Sequence, residues 1–277
     1  MGALSMSRNR TGQRARRRPE LSERDVTTLR LLQRFRLLSV DQIQRITITA
    51  GSPATRARRT RGMLQRLTND GYVRRLDRRI GGVHAGSTGT VYRISGRGST
   101  TLARLDGTER RRSSGEPGER FVRHVLAIGE QAVALYEASW HANMTVDEFS
   151  PEPACWRRYP APHGGTATIR PDAFVLTHDD SYSFATFLEQ DMATESTSTV
   201  LRKCQAYVAY WRSGVEQARF GVFPRVVWAV PNARRVAQLE AVFARLPREV
   251  HELFVVRAGV VAPLLLGRDG TDAEARS

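Results

Sequence analysis

The chain has 277 residues, 43 Lys+Arg against 28 Asp+Glu, and a formal charge of +15, with apolar residues making up 40% of it. That is enough chain and enough apolar content for one or two domains with real cores, which excludes global disorder. Two cysteines exclude a disulfide scaffold or a Cys-based zinc finger. No apolar run approaches the ~18 residues of a membrane span, and the N-terminal arginines precede no apolar signal segment.

The expectation is a cytoplasmic protein with a polyanionic partner. The charge is also unevenly placed. Residues 1–120 hold 27 Arg and 10 acids, net +17, whereas residues 121–277 hold 16 Lys+Arg and 18 acids, net −2. Codon bias toward arginine does not segregate charge in this way. A basic binding region joined to a second region with another task does. Of the 43 cations only Lys203 is a lysine.

Residues 1–20 contain Arg8, Arg10, Arg14, Arg16, Arg17 and Arg18 and almost no large apolar side chain. They read as a flexible basic arm. Ser22, with Glu23 and Asp25 behind it, caps a first helix whose inner face is Val26, Leu29, Leu32 and Phe35. Ser39 caps a second helix around Ile43 and Ile46. Ser52-Pro53 opens a third, Ala54 to Asn69, with Ala57, Met63, Leu64 and Leu67 inward and Arg56, Arg58, Arg59, Arg61 and Arg66 on the other face. Gly71 stops it.

The period then falls to 2. Tyr72–Leu76 and Thr90–Ile94 read as strands on either side of a Gly-rich loop holding His84, and Leu102, Ala103 and Leu105 suggest a closing helix. Three helices and a hairpin are the order of a winged helix-turn-helix over residues 21–106. Its third helix would enter a DNA major groove. Arg56, Arg58, Arg59, Arg61, Arg66, Arg74, Arg75 and Arg93 are the DNA-contacting candidates, and double-stranded DNA is the expected partner.

Residues 107–119 read as a polar linker. Beyond it the pattern predicts a helix to about Trp140, strands at 144–149, 166–176 and 182–190, a helix at 198–212, a strand at 225–230, a helix at 233–246 and a strand at 253–256. The second domain would span 120–262, with a tail at 263–277. Glu189 and Asp191 share a strand face by alternation, and a hairpin around His178-Asp179-Asp180 brings Asp172 opposite Phe187 or Glu189. Three converging carboxylates need a proton or a hard cation, Mg²⁺ or Mn²⁺. Lys203 sits one turn into the following helix, a compact charge that could serve a phosphate. Tyr207, Tyr210, Trp211 and both cysteines read as core. No two histidines have His-x-His spacing, which argues against a two-histidine tyrosine relaxase.

Ile169-Arg170-Pro171-Asp172-Ala173, then Leu188-Glu189-Gln190-Asp191-Met192-Ala193-Thr194-Glu195, then Lys203 with Tyr207 and Tyr210, resemble the replication-relaxation family of plasmids and integrative elements. The stretch from Leu21-Ser22-Glu23-Arg24-Asp25 to Tyr92-Arg93-Ile94-Ser95 is similar to the same family's winged helix. The resemblance implies an α+β protein of two domains, a winged helix-turn-helix and a restriction-endonuclease-like PD-(D/E)xK domain related to MOBC-class relaxases. It implies Asp172, Glu189 and Lys203 as catalytic residues and Asp172, Glu189 and Asp191 as metal ligands. One departure stands out: Asp191 occupies the place where the nuclease pattern has lysine, and Lys203 would supply the ammonium instead.

Two functions follow. One is metal-dependent nicking or processing of DNA during replication or conjugative transfer of a plasmid or mobile element. The other is a non-cutting DNA-binding accessory protein or transcriptional repressor. Other replication or transfer proteins and a second copy of the chain are further candidate partners.

Overall fold

The computed structural model describes residues 20–76, 89–109, 115–161 and 164–268. Most of the basic arm, the Gly-rich loop with His84, part of the linker, His163 and the end of the tail lie outside these residues.

The first three helices start where local chemistry starts them. Helix α1 (Glu23–Phe35) and helix α2 (Val40–Thr47) each open with a reciprocal capping box, Ser22 with Asp25 and Ser39 with Gln42. Helix α3 (Pro53–Asn69) is capped by Ser52, has Pro53 in its first turn and ends before Gly71, which adopts φ +74°. A two-residue strand, β1 (Leu38–Ser39), joins the hairpin β2 (Val73–Arg75) and β3 (Val91–Ile94) in a three-stranded sheet of order β1-β3-β2. Helix α4 (Gly96–Asp106) closes this half. Gly98 is fixed by packing, because a Cβ there would lie 2.2 Å from the Tyr72 carbonyl oxygen.

Helix α5 (Glu119–Ala142) leads into a five-stranded mixed sheet of order β10-β9-β8-β7-β4. Its strands are β4 (Thr145–Pro151), β7 (Ala173–His178), β8 (Ser183–Gln190), β9 (Arg225–Val230) and β10 (Phe254–Ala258). The pairs β4–β7 and β7–β8 are antiparallel; β8–β9 and β9–β10 are parallel. The β7–β8 turn is fastened by Asp179, whose carboxylate accepts the amides of Ser181 (2.8 Å) and Tyr182 (2.7 Å).

Alternation divides this sheet between two cores. Ala173, Val175, Leu188, Val227 and Ala229 face α5 and the short helix α9 (Ala262–Leu265). Phe174, Phe187, Val226 and Trp228 face α6 (Thr197–Arg212) and α8 (Ala233–Phe243). A six-residue helix, α7 (Val215–Phe220), follows α6, and a 3-10 turn (Arg248–Leu253) precedes β10. The fold is thus mixed α+β, as expected from the sequence.

Three details differ from the expectation. The predicted 166–176 strand breaks at Arg170-Pro171-Asp172. Its first part, β6 (Thr166–Ile169), pairs with β5 (Arg157–Pro160) in a separate ribbon. Pro171 has no N–H to continue a ladder, and the main-sheet bonds begin with the Asp172 amide, which donates to the Leu188 carbonyl at 3.1 Å. The tail predicted from residue 263 begins as packed chain, because Leu264, Leu265 and Leu266 are buried and Thr177 donates to the Leu265 carbonyl at 2.9 Å.

The apolar core also does not stop at the linker. One cluster runs from Leu29, Leu32 and Leu64 through Ile128 and Leu135 to Leu188 and Leu265. Gly129 lets α2 approach α5 closely, since a Cβ there would meet Leu38 at 3.1 Å and Gln42 at 3.3 Å. Arg45 on α2 clamps Glu130 (2.6 Å) and Glu137 (2.5 Å) on α5. Burial works against the Arg45 charge less than these two carboxylates favour it, so its pKa is raised.

Candidate functional site

Asp172 is the last residue before β7, and Glu189 lies near the end of β8. Because Ala173 pairs with Leu188, the register sets Asp172 beside Glu189, as the hairpin count anticipated. Asp172 Oδ2 accepts the Gln190 amide at 2.7 Å, and Oδ1 lies 3.0 Å from Nε2 of His124 on α5. Glu189 is 2% exposed. Its carboxylate accepts a 2.6 Å bond from the Tyr207 hydroxyl and a 3.3 Å bond from Lys203 Nζ, both on α6. Residues 203 and 207 are one helical turn apart, so both reach the same carboxylate.

The lone lysine therefore has a defined place. Its ammonium bridges Glu189 and Glu195, each at 3.3 Å, and lies 5.7 Å from the centroid of the Trp228 ring. A compact charge suits that position between two acids better than a planar guanidinium. Burial opposes the ammonium, but Glu189, Asp172 and Glu195 outweigh it and raise its pKa. For Glu189, burial and then the Asp172 charge push the carboxyl up to about 7, against the pull of Lys203 and Tyr207. For His124, burial acts against the charged form, but the Asp172 bond prevails and the pKa is raised. Tyr207, wholly enclosed, is held well above the ordinary phenol value by burial and by Glu189.

Asp191 does not join this group. Arg235, 5% exposed on α8, holds its Oδ2 through Nε at 2.7 Å and Nη2 at 2.6 Å, and the Ala193 amide binds Oδ1. The same guanidinium donates to the Glu195 carbonyl at 2.9 Å. The expected cluster of three carboxylates is therefore a pair, because the third carboxylate is neutralised by a buried cation and serves the β8–α6 turn. Among the described residues, no three His, Cys, Asp or Glu side chains form a group that could hold a metal ion by themselves.

Sequence reasoning missed His124, Glu195 as the second partner of Lys203, and Arg235. A signal for His124 did exist. It falls on the same α5 face as Ile128, Gln131 and Leu135, all buried, and a polar residue on a buried face calls for a partner. Nothing local marks Arg235 among so many arginines.

The arginine candidates divide. Arg58, Arg59 and Arg61 on α3 and Arg74 and Arg75 on β2 are exposed. Arg56 and Arg66 are half-buried. Arg66 reaches back to Asp25 at 2.7 Å, so it does not stand on the open face with the others. Arg74 pairs across the hairpin with Arg93, which puts those two on one face and Arg75 on the other. Arg93 Nη1 donates to the Gly115 carbonyl at 3.3 Å. Elsewhere, a cleft of about 790 Å³ opens among α1, β3 and the end of β4, lined by Arg30, Arg34, Arg36 and Phe121; it contains none of Asp172, Glu189 and Lys203.

No helix among the described residues is long and apolar enough to cross a membrane. No curated protein and no solved structure matches the chain. The replication-relaxation family model matches residues 29–226, a span that runs from the middle of α1 to the first residues of β9 and takes in Asp172, Glu189 and Lys203. The chain therefore belongs to the replication-relaxation family.

Proposed function

We propose that this protein binds duplex DNA at a plasmid or mobile-element origin and nicks or otherwise processes one strand there during replication or transfer. The observation that carries this reading is the grouping of Asp172 just before β7, Glu189 on β8 and Lys203 on α6 at one end of a mixed sheet. Helix α5, the β4-β7-β8 meander, α6 and the parallel strand β9 follow the order of a PD-(D/E)xK core. The order α1-β1-α2-α3-β2-β3 supports a winged helix-turn-helix, with Arg58, Arg59, Arg61 and Arg74 turned to the DNA.

The donor set suits Mg²⁺ or Mn²⁺. Such ions are commonly held by one or two carboxylates, with waters and substrate phosphate oxygens completing the shell. Burial, and after it the Asp172 charge, raises the pKa of Glu189, and a cation bound there would favour its ionised form. Asp172 and Glu189 would hold the ion, which when bound supplies an activated water and offsets charge growing on a phosphodiester. The chain's own part is positioning. His124 orients Asp172, Tyr207 orients Glu189, and Lys203 brings a fixed positive charge to the scissile phosphate.

The second reading, a DNA-binding accessory protein or repressor that cuts nothing, draws on a specific observation. Each carboxylate already has protein partners, His124 and Gln190 for Asp172, Tyr207 and Lys203 for Glu189. Incubating the protein with supercoiled origin DNA over a range of Mg²⁺ and Mn²⁺ separates the two. Relaxed circles are expected, and intact supercoils together with no calorimetric metal binding would leave only the second reading.

A further inference from the structure

The ribbon β5–β6 belongs to neither core sheet and plays no part in the reading above. It is inserted between β4 and β7, and residues 154–171 contain no Asp or Glu. Its two faces differ sharply. Inward lie Cys155, Tyr159 and Ile169, all buried, with Cys155 Sγ donating to the Pro171 carbonyl at 3.0 Å. Outward lie Trp156, Arg158, Thr166, Thr168 and Arg170, all exposed. The register Arg157↔Ile169 and Arg158↔Thr168 sets Trp156 across from Arg170. The Arg170 guanidinium lies 5.0 Å from the Trp156 ring centroid. That face therefore offers a tryptophan that is 38% exposed beside two arginines and two hydroxyls, with no acid among them.

We infer that the outer face of β5–β6 is a stacking platform for an unpaired nucleobase of single-stranded DNA, next to the Asp172–Glu189 site. An aromatic ring backed by a guanidinium stacks any base, and arginines and threonine hydroxyls track the phosphates around it. Base faces within a duplex are covered by their neighbours, so an exposed indole selects the unpaired strand. The placement agrees. Arg170 precedes Asp172 by two residues, at most roughly 7 Å of extended chain. A base held on Trp156 would therefore belong to a nucleotide close to the phosphate at Asp172. The inference rests on the reading of DNA as substrate and adds which form of DNA this surface takes.

Fluorescence anisotropy of the full chain with labelled (dT)12, (rU)12 and a 24-base-pair duplex tests it. Trp156→Ala is expected to weaken (dT)12 binding about tenfold, within the range of a lost base stack, and to leave duplex binding within about twofold. Trp156→Phe should retain most of the affinity, and Arg170→Ala should fall between. Trp156 is exposed, so circular dichroism and the melting temperature of Trp156→Ala should match the parent. No measurable (dT)12 binding by the parent, an unchanged Trp156→Ala, an equal loss on duplex, or a Trp156-dependent preference for (rU)12 would overturn the inference. Nicking is a separate readout. A parent that cuts nothing while Trp156→Ala loses single-strand binding removes the catalytic reading and keeps the platform. A parent that nicks while Trp156→Ala binds normally does the reverse.

Discussion

The two halves of the chain use charge in opposite ways. Before the linker, arginines point outward from α3 and β2, and Asp25 is the one buried charged side chain among the described residues. Beyond it, Asp172, Glu189, Asp191, Glu216 and Arg235 are all buried. Each of these has partners: His124, Tyr207 and Lys203, Arg235, and for Glu216 both Arg157 (3.1 Å) and Tyr210. An exposed charge is cheap to keep and acts at a distance. A buried one is tolerable only when paired, and the pairing then fixes geometry. The first arrangement suits docking on a polyanion. The second suits a site where a particular carboxylate must stand at a particular place.

That contrast can be broken at several points. The largest effect is expected at Asp172. Asp172→Ala should reduce nicking of supercoiled DNA by on the order of 100-fold or more while duplex affinity, measured by gel shift, stays near the parent. Loss of both together would mean that the buried half also docks DNA. Next, Arg235→Ala leaves Asp191 buried and unpaired. Chemical denaturation should show a loss of about 3–5 kcal/mol, partly restored by adding Asp191→Asn.

Smaller effects sharpen the boundary between the halves. Gly98→Ala forces a methyl against the Tyr72 carbonyl and should cost about 1–3 kcal/mol. Because one apolar cluster joins both halves, that loss should appear as a lowered single unfolding transition, and two separate transitions would contradict a shared core.

The smallest effects are in the pH dependence of stability, and their signs differ between the halves. At Asp25, burial opposes ionisation, but Arg66 and Ser22 outweigh it and hold the carboxyl below the ordinary aspartate value of 3.8. Its contribution is present above that value and lost as pH falls through the lower folded one. At Glu189, the folded chain keeps a proton that the unfolded chain releases between 4.5 and about 7, so stability falls as pH rises through that window. Denaturation midpoints across pH should show Asp25→Asn flattening the acid limb and Glu189→Gln flattening the slope toward neutrality.

How far the molecule could be read in advance follows the same division. Helices α1 to α3 were legible to within a residue or two because their signals are local: Ser22, Ser39 and Ser52 cap, Pro53 opens and Gly71 stops. The nearness of Asp172 and Glu189 was legible because a tight hairpin turn transmits register over a dozen residues. The β5–β6 ribbon was not. Its pairing partner lies across a Pro/Gly segment, and the break within 166–176 is marked only by Pro171, a signal that the period-2 pattern on either side outweighed. Nor was the fate of Asp191, since alternation along β8 places it on the Glu189 face but says nothing of what descends from α8 onto that face.

By itself, then, the sequence determined the +17 and −2 division, the helix caps, the strand periods and the candidate pair Asp172 and Glu189. These rest on interactions within a turn or a hairpin, where composition and spacing suffice. Only the tertiary structure decided that Lys203 bridges Glu189 and Glu195, that His124 holds Asp172, that Arg235 withdraws Asp191, and that both halves share a core. Each of those depends on which of many chemically equivalent side chains arrives from a distant element. Packing decides that, and spacing along the chain does not record it.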